Sequence, residues 1–190
     1  MKWFNAASAH ENLDAAELAR QALGWAGVTL PAVRMSGGAV LPVVAWTASA
    51  ASRWVFGPAP EPCRATLMQW ESYGPSPAVH IAGFIHVGPA AAGIDRLKAV
   101  SAYGPGALVV RNVRRVSAWT MAEADVAGLS VVQVLRNGQV DVTLEGRRGP
   151  LTSARRTVAT RLREEQLFEW ALRVGAEPRT LPLTGKTLVS

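Results

Sequence analysis

Seventeen arginines and three lysines carry the positive charge of this chain. A guanidinium group offers a planar fork that matches the oxygens of a phosphate. Residues 1–90 hold five basic and five acidic side chains, whereas residues 91–190 hold fifteen and nine, so the net charge of +6 comes from the second half. This imbalance favours a polyanionic partner, although an excess of arginine over lysine can also reflect genome composition.

Nine arginines of the second half would form one basic face if the ends of the predicted strands converge. Such a face would bind DNA or RNA through phosphates, independently of base sequence and in a salt-sensitive manner. A solvated surface or an arginine-rich subunit interface would have the same composition. The nine are Arg111, Arg114, Arg115, Arg147, Arg148, Arg155, Arg156, Arg161 and Arg163.

Other chemistry is poorly represented. His80 and His86 are six residues apart on one predicted strand, which separates them by about 20 Å, too far for one metal ion. Cys63 is the only cysteine, so an internal disulfide and a multi-cysteine metal site are excluded. No Gly-rich phosphate loop follows a predicted strand, and a Gly-x-Ser-x-Gly motif is absent. We therefore expect no zinc site and no nucleophile elbow.

The strongest local pattern in the second half is a hairpin that turns at Asn137-Gly138. Asn-Gly is preferred in two-residue type I′ turns. In that register the inward-facing residues of both strands make one apolar side. They are Val131, Leu135, Val140, Val142 and Leu144.

Three further elements surround this hairpin in sequence. GIDRLKAVSAYG reads as a short helix and ALVVRN as a strand. Arg163–Val174 is predicted to be a helix that ends at Gly175, a residue suited to the position after a helix. The preceding RTVAT is either a strand or an earlier turn of that helix.

This order of elements over residues 93–186 resembles the PD-(D/E)xK nuclease superfamily, and most closely its Holliday-junction-resolvase-like branch. The matching pieces are GIDRLK, ALVVRNVRR, ADVAGL, VDVTLEGRR and EQLFEWALRVGAEPRTLPL. The resemblance covers roughly half of the chain and is one of order and pattern, since no single motif in it is specific. It implies a restriction-endonuclease-like sheet flanked by helices, and action on DNA.

The resemblance also implies site residues. Asp95, Asp125 and Glu145 would bind Mg²⁺, and Asp125, Glu145 and Arg147 would be the catalytic set. Arg147 takes the place of the family's lysine. Because arginine is effectively always protonated, it could hold a phosphate but could not act as a base.

The hairpin register bears on this implied metal site. A two-residue turn at Asn137-Gly138 pairs positions whose numbers sum to 275, so Glu145 faces Ser130. Asp125 then lies about 16 Å further along the strand. Either a bulge or an irregular start brings Asp125 back, or Ser130 replaces the family's Asp and the site is broken. We favour the broken site.

The first half is predicted to be rich in β-structure. A leading helix over Asn12–Ala26 is followed by strands PAVRM and AVLPVVAW, a short helix TASAASRW and a proline-rich linker FGPAPEPC. Two strands, CRATLMQWESYG and AVHIAGFIHVG, complete it. We place a domain boundary at residues 89–93, between a near-neutral assembly or substrate-positioning part (1–90) and a basic nuclease-like part (91–190). The fold class is mixed α/β.

Three functions fit these observations. The first is a nucleic-acid-binding protein with a nuclease-like fold that is degenerate in catalysis. The second is a non-enzymatic structural subunit of a phage or other multi-chain particle, in keeping with the near-neutral first half and seven tryptophans. The third is an active Mg²⁺-dependent endonuclease. We expect a homo-oligomer or larger assembly, no membrane segment, and a cytoplasmic location or one within a particle.

Overall fold

The computed structural model describes residues 6–56, 60, 66–68, 75–112, 115–147 and 157–178. In this part of the chain a seven-stranded mixed sheet is covered by helices, which confirms the predicted α/β class. The elements are α1 (Ala6–Ala22), β1 (Val28–Thr29), β2 (Val33–Met35), β3 (Gly38–Trp46), α2 (Ala50–Val55), β4 (Val79–Val87), α3 (Ala90–Val100), β5 (Gly106–Arg111), α4 (Ala118–Val126), β6 (Ser130–Val134), β7 (Val140–Leu144) and α5 (Val158–Arg173).

Three parallel strands form the middle of the sheet. The strand order is β1-β3-β4-β5-β6-β7, and β2 pairs with β3. The β4–β5 and β5–β6 pairs are parallel, and the other pairs are antiparallel. We call the end at which β4, β5 and β6 finish (Val87, Arg111, Val134) the upper end of the sheet. The lower end is the one at which they begin (Val79, Gly106, Ser130).

Each face of the sheet has its own apolar cluster. Helices α3, α4 and α5 cover one face and contribute residues such as Leu97, Ala124 and Phe168 to the larger cluster. Helix α1 packs on the opposite face through small residues, Ala15, Ala16 and Ala19, which are almost fully buried. Alanine at these positions lets the α1 backbone lie close to the sheet, where burial of apolar surface stabilises the fold.

The turns of the two hairpins differ, and only the β6–β7 turn had a predicted type. In the β2–β3 hairpin, Ser36 and Gly37 both have positive φ (49° and 86°) and Met35 pairs with Gly38, as a two-residue type I′ turn requires. The β6–β7 hairpin has a three-residue loop instead. Gly138 alone has positive φ there (79°), and the Leu135 amide donates to the Gln139 carbonyl at 2.9 Å. The predicted type I′ turn at Asn137-Gly138 is therefore wrong.

A β-bulge in the β6–β7 pair, between Val131 and Val132, shifts the register by one residue. Near the turn the paired positions sum to 274, as in Val132↔Val142, but past the bulge Val131 pairs with Leu144, which restores the predicted sum of 275. The bulge also rotates the strand. Val140 and Val142 pack on the α1 side, whereas Leu144 packs on the other, so the predicted single apolar side is wrong.

Several predicted elements are confirmed, with shifted ends. The hairpin β2–β3, the short helix α2 and the strand β4 occur as expected, and α1 and α5 start earlier than predicted. Residues 157–160 belong to the start of α5, because Thr157 caps it through a 3.2 Å hydrogen bond from the Thr160 amide. The strand predicted over 63–74 is wrong at residues 66–68, which are helical. Its other residues lie outside the described ranges, as does the strand implied after α5.

The sheet continues across the predicted domain boundary. β4 from the first part pairs with β5 from the second, from Phe84↔Gly106 to Val87↔Val109. The two predicted parts therefore share one sheet. Helix α4 is absent from the sequence prediction, and it makes β5 and β6 parallel neighbours where the resemblance implies an antiparallel hairpin directly after the strand.

The β6–β7 turn gives a first test of this fold. We expect Gly138→Ala to lower the free energy of unfolding by about 1 kcal/mol, because a Cβ atom disfavours left-handed backbone. Steric contact does not contribute, since no atom lies within 4 Å of that Cβ position. Gly138→Asn should cost less, because asparagine tolerates positive φ. Urea unfolding followed by circular dichroism measures both, and equal stability of the two variants would contradict the assigned turn.

Candidate functional site

The residues implied to be catalytic lie at the lower end of the sheet. Asp125 is in the last turn of α4, and its carbonyl accepts a hydrogen bond from the Gly128 amide at 2.8 Å. The Gly128 carbonyl in turn accepts from the Arg147 amide at 3.0 Å. Glu145 follows β7. The side chains of Asp125, Glu145 and Arg147 are exposed. Asp125 is thus brought towards Arg147 by a helix rather than by a hairpin strand.

Ser130 occupies the position that the register analysis assigns to it. It is buried, and its hydroxyl accepts a hydrogen bond from the Gly146 amide at 3.0 Å, one residue past Glu145. Asp95 is exposed in the middle of α3, on a separate element. Within the described ranges, no group of three or more His, Cys, Asp or Glu side chains could hold a metal ion.

The arginines named as phosphate contacts divide between the two ends. Arg111 ends β5, pairs with Val134 at the upper end, and donates to Glu11 Oε2 at 3.0 Å, which ties α1 to the sheet. Arg147 lies at the level of Gly128, two residues before β6 begins, so the whole of β6, about 13 Å, separates it from Val134. Arg111 and Arg147 therefore do not share one face. Four other named arginines lie outside the described residues: Arg114, Arg148, Arg155 and Arg156.

Two exposed arginines follow the ends of β5 and β6 at the upper end of the sheet. The Asn112 amide donates to the Val134 carbonyl at 3.1 Å, which joins the chain leaving β5 to the end of β6. Arg136 follows Val134 by two residues and Arg115 follows Asn112 by three, so both backbones lie within about 11 Å of that hydrogen bond. Both side chains are exposed, and neither forms an ion pair with any residue that the structure describes.

An exposed tryptophan lies at the same end of the sheet, at the start of α4. Trp119 is in the first turn of α4, four residues after Arg115, and is 79% exposed. The turn is held by the Ser117 hydroxyl, which accepts from the Thr120 amide at 3.1 Å. We call Arg115, Trp119 and Arg136 the upper-end site. Sequence reasoning found Arg115 alone. Two sequence signals could have found the other two residues. Arg136 directly precedes the Asn-Gly turn, and Trp119 follows a serine that could cap a helix.

His86 lies under the start of α3, also at the upper end. A Cβ atom on Gly93 would come within 2.5 Å of His86 Cδ2, so glycine is required where the helix crosses the imidazole. Burial lowers the pKa of His86, the Arg96 charge lowers it further, and a hydrogen bond to the Ala39 backbone partly opposes both. Its Nε2 atom has no hydrogen-bond partner among the described residues. His86 is therefore a neutral core residue at neutral pH.

A buried ion-pair network joins α2 to α5. Arg53 donates to both carboxylate oxygens of Glu165, at 2.7 and 2.9 Å, and its guanidinium lies 4.9 Å from the centre of the Phe168 ring. Arg161, one turn earlier on α5, reaches the same carboxylate at 2.9 Å. Sequence reasoning missed this network, because the partners are 112 residues apart. Its position in the core indicates a structural role.

No protein-family model matches the chain, and neither a curated protein nor a solved structure is significantly similar to it. Among the helices described, none has the length and apolar character needed to cross a membrane. The assignment of function therefore depends on the geometry of this chain. The nuclease resemblance stays a prediction.

Buried His86 makes stability depend on pH. Because its folded-state pKa lies below the unfolded value of about 6.5, its contribution is complete above that pH and is lost as the pH falls below it. We expect the free energy of unfolding to decrease between pH 7.5 and pH 5, and to decrease less in His86→Gln. Burial raises the pKa of Glu17, but hydrogen bonds led by that from Arg20 bring it to about 2, so Glu17 acts only at lower pH. Parallel curves for the two proteins would contradict this assignment.

The buried network gives a second stability prediction. We expect Glu165→Gln to destabilise the fold by about 3–5 kcal/mol, because Arg53 and Arg161 would lose the buried carboxylate charge that they share. The double variant Arg53→Met/Glu165→Met should recover part of that loss. Glu169→Gln is the matched control, because its ion pair with Arg173 is exposed and worth about 0.5 kcal/mol. Urea unfolding would contradict the account if Glu165→Gln and Glu169→Gln had the same effect.

Proposed function

We propose that the protein binds nucleic acid through the upper-end site. The observation that carries the proposal is the exposure of Arg115 and Arg136, which follow the hydrogen-bonded ends of β5 and β6, together with exposed Trp119 at the start of α4 at the same end of the sheet. Their guanidinium groups make no ion pair with the described residues, so they are available to phosphate oxygens.

The architecture supports an anionic ligand at this end. In open α/β sheets, ligands bind outside the carboxyl ends of parallel strands. Helices α3 and α4 both begin there, so the positive ends of their dipoles face the same region. The net charge of +6 adds a long-range attraction to polyanions. Such binding would be non-specific in sequence and would weaken steeply with salt.

The proposal covers DNA and RNA, and leaves out cleavage. The carboxylates of Asp95, Asp125 and Glu145 lie on three separate elements, and the two arginines of the upper-end site are at the other end of the sheet from Glu145. If Mg²⁺ did bind, Asp125 and Glu145 would be its ligands and would need to approach within about 5 Å of each other.

We place the protein in the cytoplasm or within an assembled particle.

A structural or assembly subunit is the second candidate. Trp119 and Val126 are seven residues apart on α4, hence on one side of the helix, and are 79% and 82% exposed. An apolar side of this kind could be covered by another copy of the chain in a homo-oligomer. Sedimentation velocity separates this candidate from the first, because it predicts a concentration-dependent assembly that Val126→Glu abolishes.

Binding of a labelled 20-nucleotide oligomer, followed by fluorescence anisotropy across a salt series, tests the proposed function. We expect Arg115→Gln/Arg136→Gln to weaken binding roughly tenfold and to lower the salt slope by about 2, because each arginine neutralises one phosphate. Arg147→Gln is the control for loss of a single charge, to be compared with Arg115→Gln and Arg136→Gln separately, since it removes one exposed charge from the lower end.

The same samples distinguish the alternatives. No binding at low salt would refute the proposal and leave the structural subunit. Loss of binding in Arg147→Gln, with the double variant unaffected, would move the interface to the lower end. Mg²⁺-dependent cleavage that is lost in Glu145→Ala would identify an active nuclease.

A further inference from the structure

Trp119 is left unexplained by phosphate binding alone. Its indole belongs to neither hydrophobic cluster formed by the described residues. Tryptophan ordinarily buries a large apolar area, and at 79% exposure the indole is free to make a contact outside the folded chain. Two exposed guanidinium groups lie at the same end of the sheet, and they indicate the chemistry of that contact.

We propose that the upper-end site takes single-stranded nucleic acid, with an unpaired base stacked on the Trp119 indole while Arg115 and Arg136 hold the adjoining phosphates. This inference rests on the proposed function and adds the class of nucleic acid. An aromatic ring among cations is the combination that single-strand binders use, because every base presents a π-face that can stack.

The indole is carried by a rigid element. Its backbone is in the first turn of α4. There the Ser117 hydroxyl accepts a hydrogen bond from the Thr120 amide and donates one to the Thr120 hydroxyl at 2.9 Å. Ala124, in the next turn of α4, is fully buried in the cluster between the helices and the sheet. A stacking surface held this way loses little conformational freedom when it binds, which favours affinity.

The charges along α4 restrict where a bound nucleic-acid strand can lie. The helix starts beside Arg115 and finishes with Glu123 and Asp125, and Glu123 is partly neutralised by Lys98 at 3.9 Å. Asp125 is about 9 Å from Trp119 along the helix axis and faces solvent. A phosphate backbone is therefore attracted to the first turn of α4 and repelled from the last, which keeps it at the upper end of the sheet, where Arg136 also lies.

Duplex DNA cannot use the indole in the same way. Paired bases are already stacked on each other, and only their edges and the phosphates are accessible. A duplex would meet the two arginines but leave Trp119 without a base to contact. Trp119 should therefore contribute to single-strand affinity and little to duplex affinity.

The test measures binding of the full chain to one labelled 20-mer, alone and annealed to its complement, at a single salt concentration. We expect Trp119→Ala to weaken single-strand binding by about 5- to 100-fold and duplex binding by less than about twofold. Trp119→Phe should restore much of the loss, because a phenyl ring still stacks. Val126→Ala is the matched control, since it removes an exposed apolar side chain from the other end of α4.

Each other outcome overturns the inference in a recognisable way. Equal losses for both oligomers in Trp119→Ala, or no loss for the single strand, would mean that no base stacks on the indole. A change in sedimentation without a change in binding would identify a contact between copies of the chain. Absence of binding to either oligomer by the unsubstituted protein would instead refute the proposed function itself.

Discussion

The parallel pairing of β4, β5 and β6 is the constraint on which the rest of the structure depends. Parallel neighbours need crossover connections, and these are α3 and α4, both packed on the same face. The opposite face is left for α1, whose buried alanines allow a close approach. The same pairing gathers the ends of three strands and the starts of two helices at one end of the sheet, where the exposed cations and Trp119 lie.

The two ends of the sheet consequently differ in chemistry. The upper end carries Arg115 and Arg136 without described ion-pair partners, and helix dipoles point their positive ends there. The lower end carries Asp125, Glu145 and Arg147, in which acidic and basic side chains are mixed. Elsewhere the core holds its charges in pairs, as Arg53 and Glu165 do. The upper end therefore combines exposed cations with an exposed aromatic ring, Trp119.

Much of the fold was readable from the sequence, because local patterns fix local elements. The strands β3 and β4, the helix α3 and the hairpin β6–β7 follow from apolar periodicity and turn residues. Turn type was not readable, since it depends on the register of the flanking strands: Ser36-Gly37 adopts the type I′ geometry that Asn137-Gly138 was expected to have. Helix α4 was missed because AWTMAEADV is short and keeps an exposed tryptophan and valine on one side.

The site was harder to predict than the fold for the same reason. Arg111 and Arg147 belong to one cluster by composition, yet α4 makes β5 and β6 parallel and sends these residues to opposite ends. Arg136 lies at the same end of the sheet as Arg115 and Trp119 because β5 and β6 are parallel and Asn112 bonds the end of β6. Long-range pairing of this kind has no local signature, so sequence patterns could supply the arginines but not their grouping.

Backbone amide chemical shifts, recorded while an unlabelled single-stranded oligonucleotide is added to the ¹⁵N-labelled protein, test the central claim most directly. The account predicts that the perturbed signals cluster at Asn112, Arg115–Trp119 and Leu135–Asn137, and that those of Gly128 and Glu145–Arg147 stay in place. Perturbations confined to the lower end, or none at low salt, would contradict it.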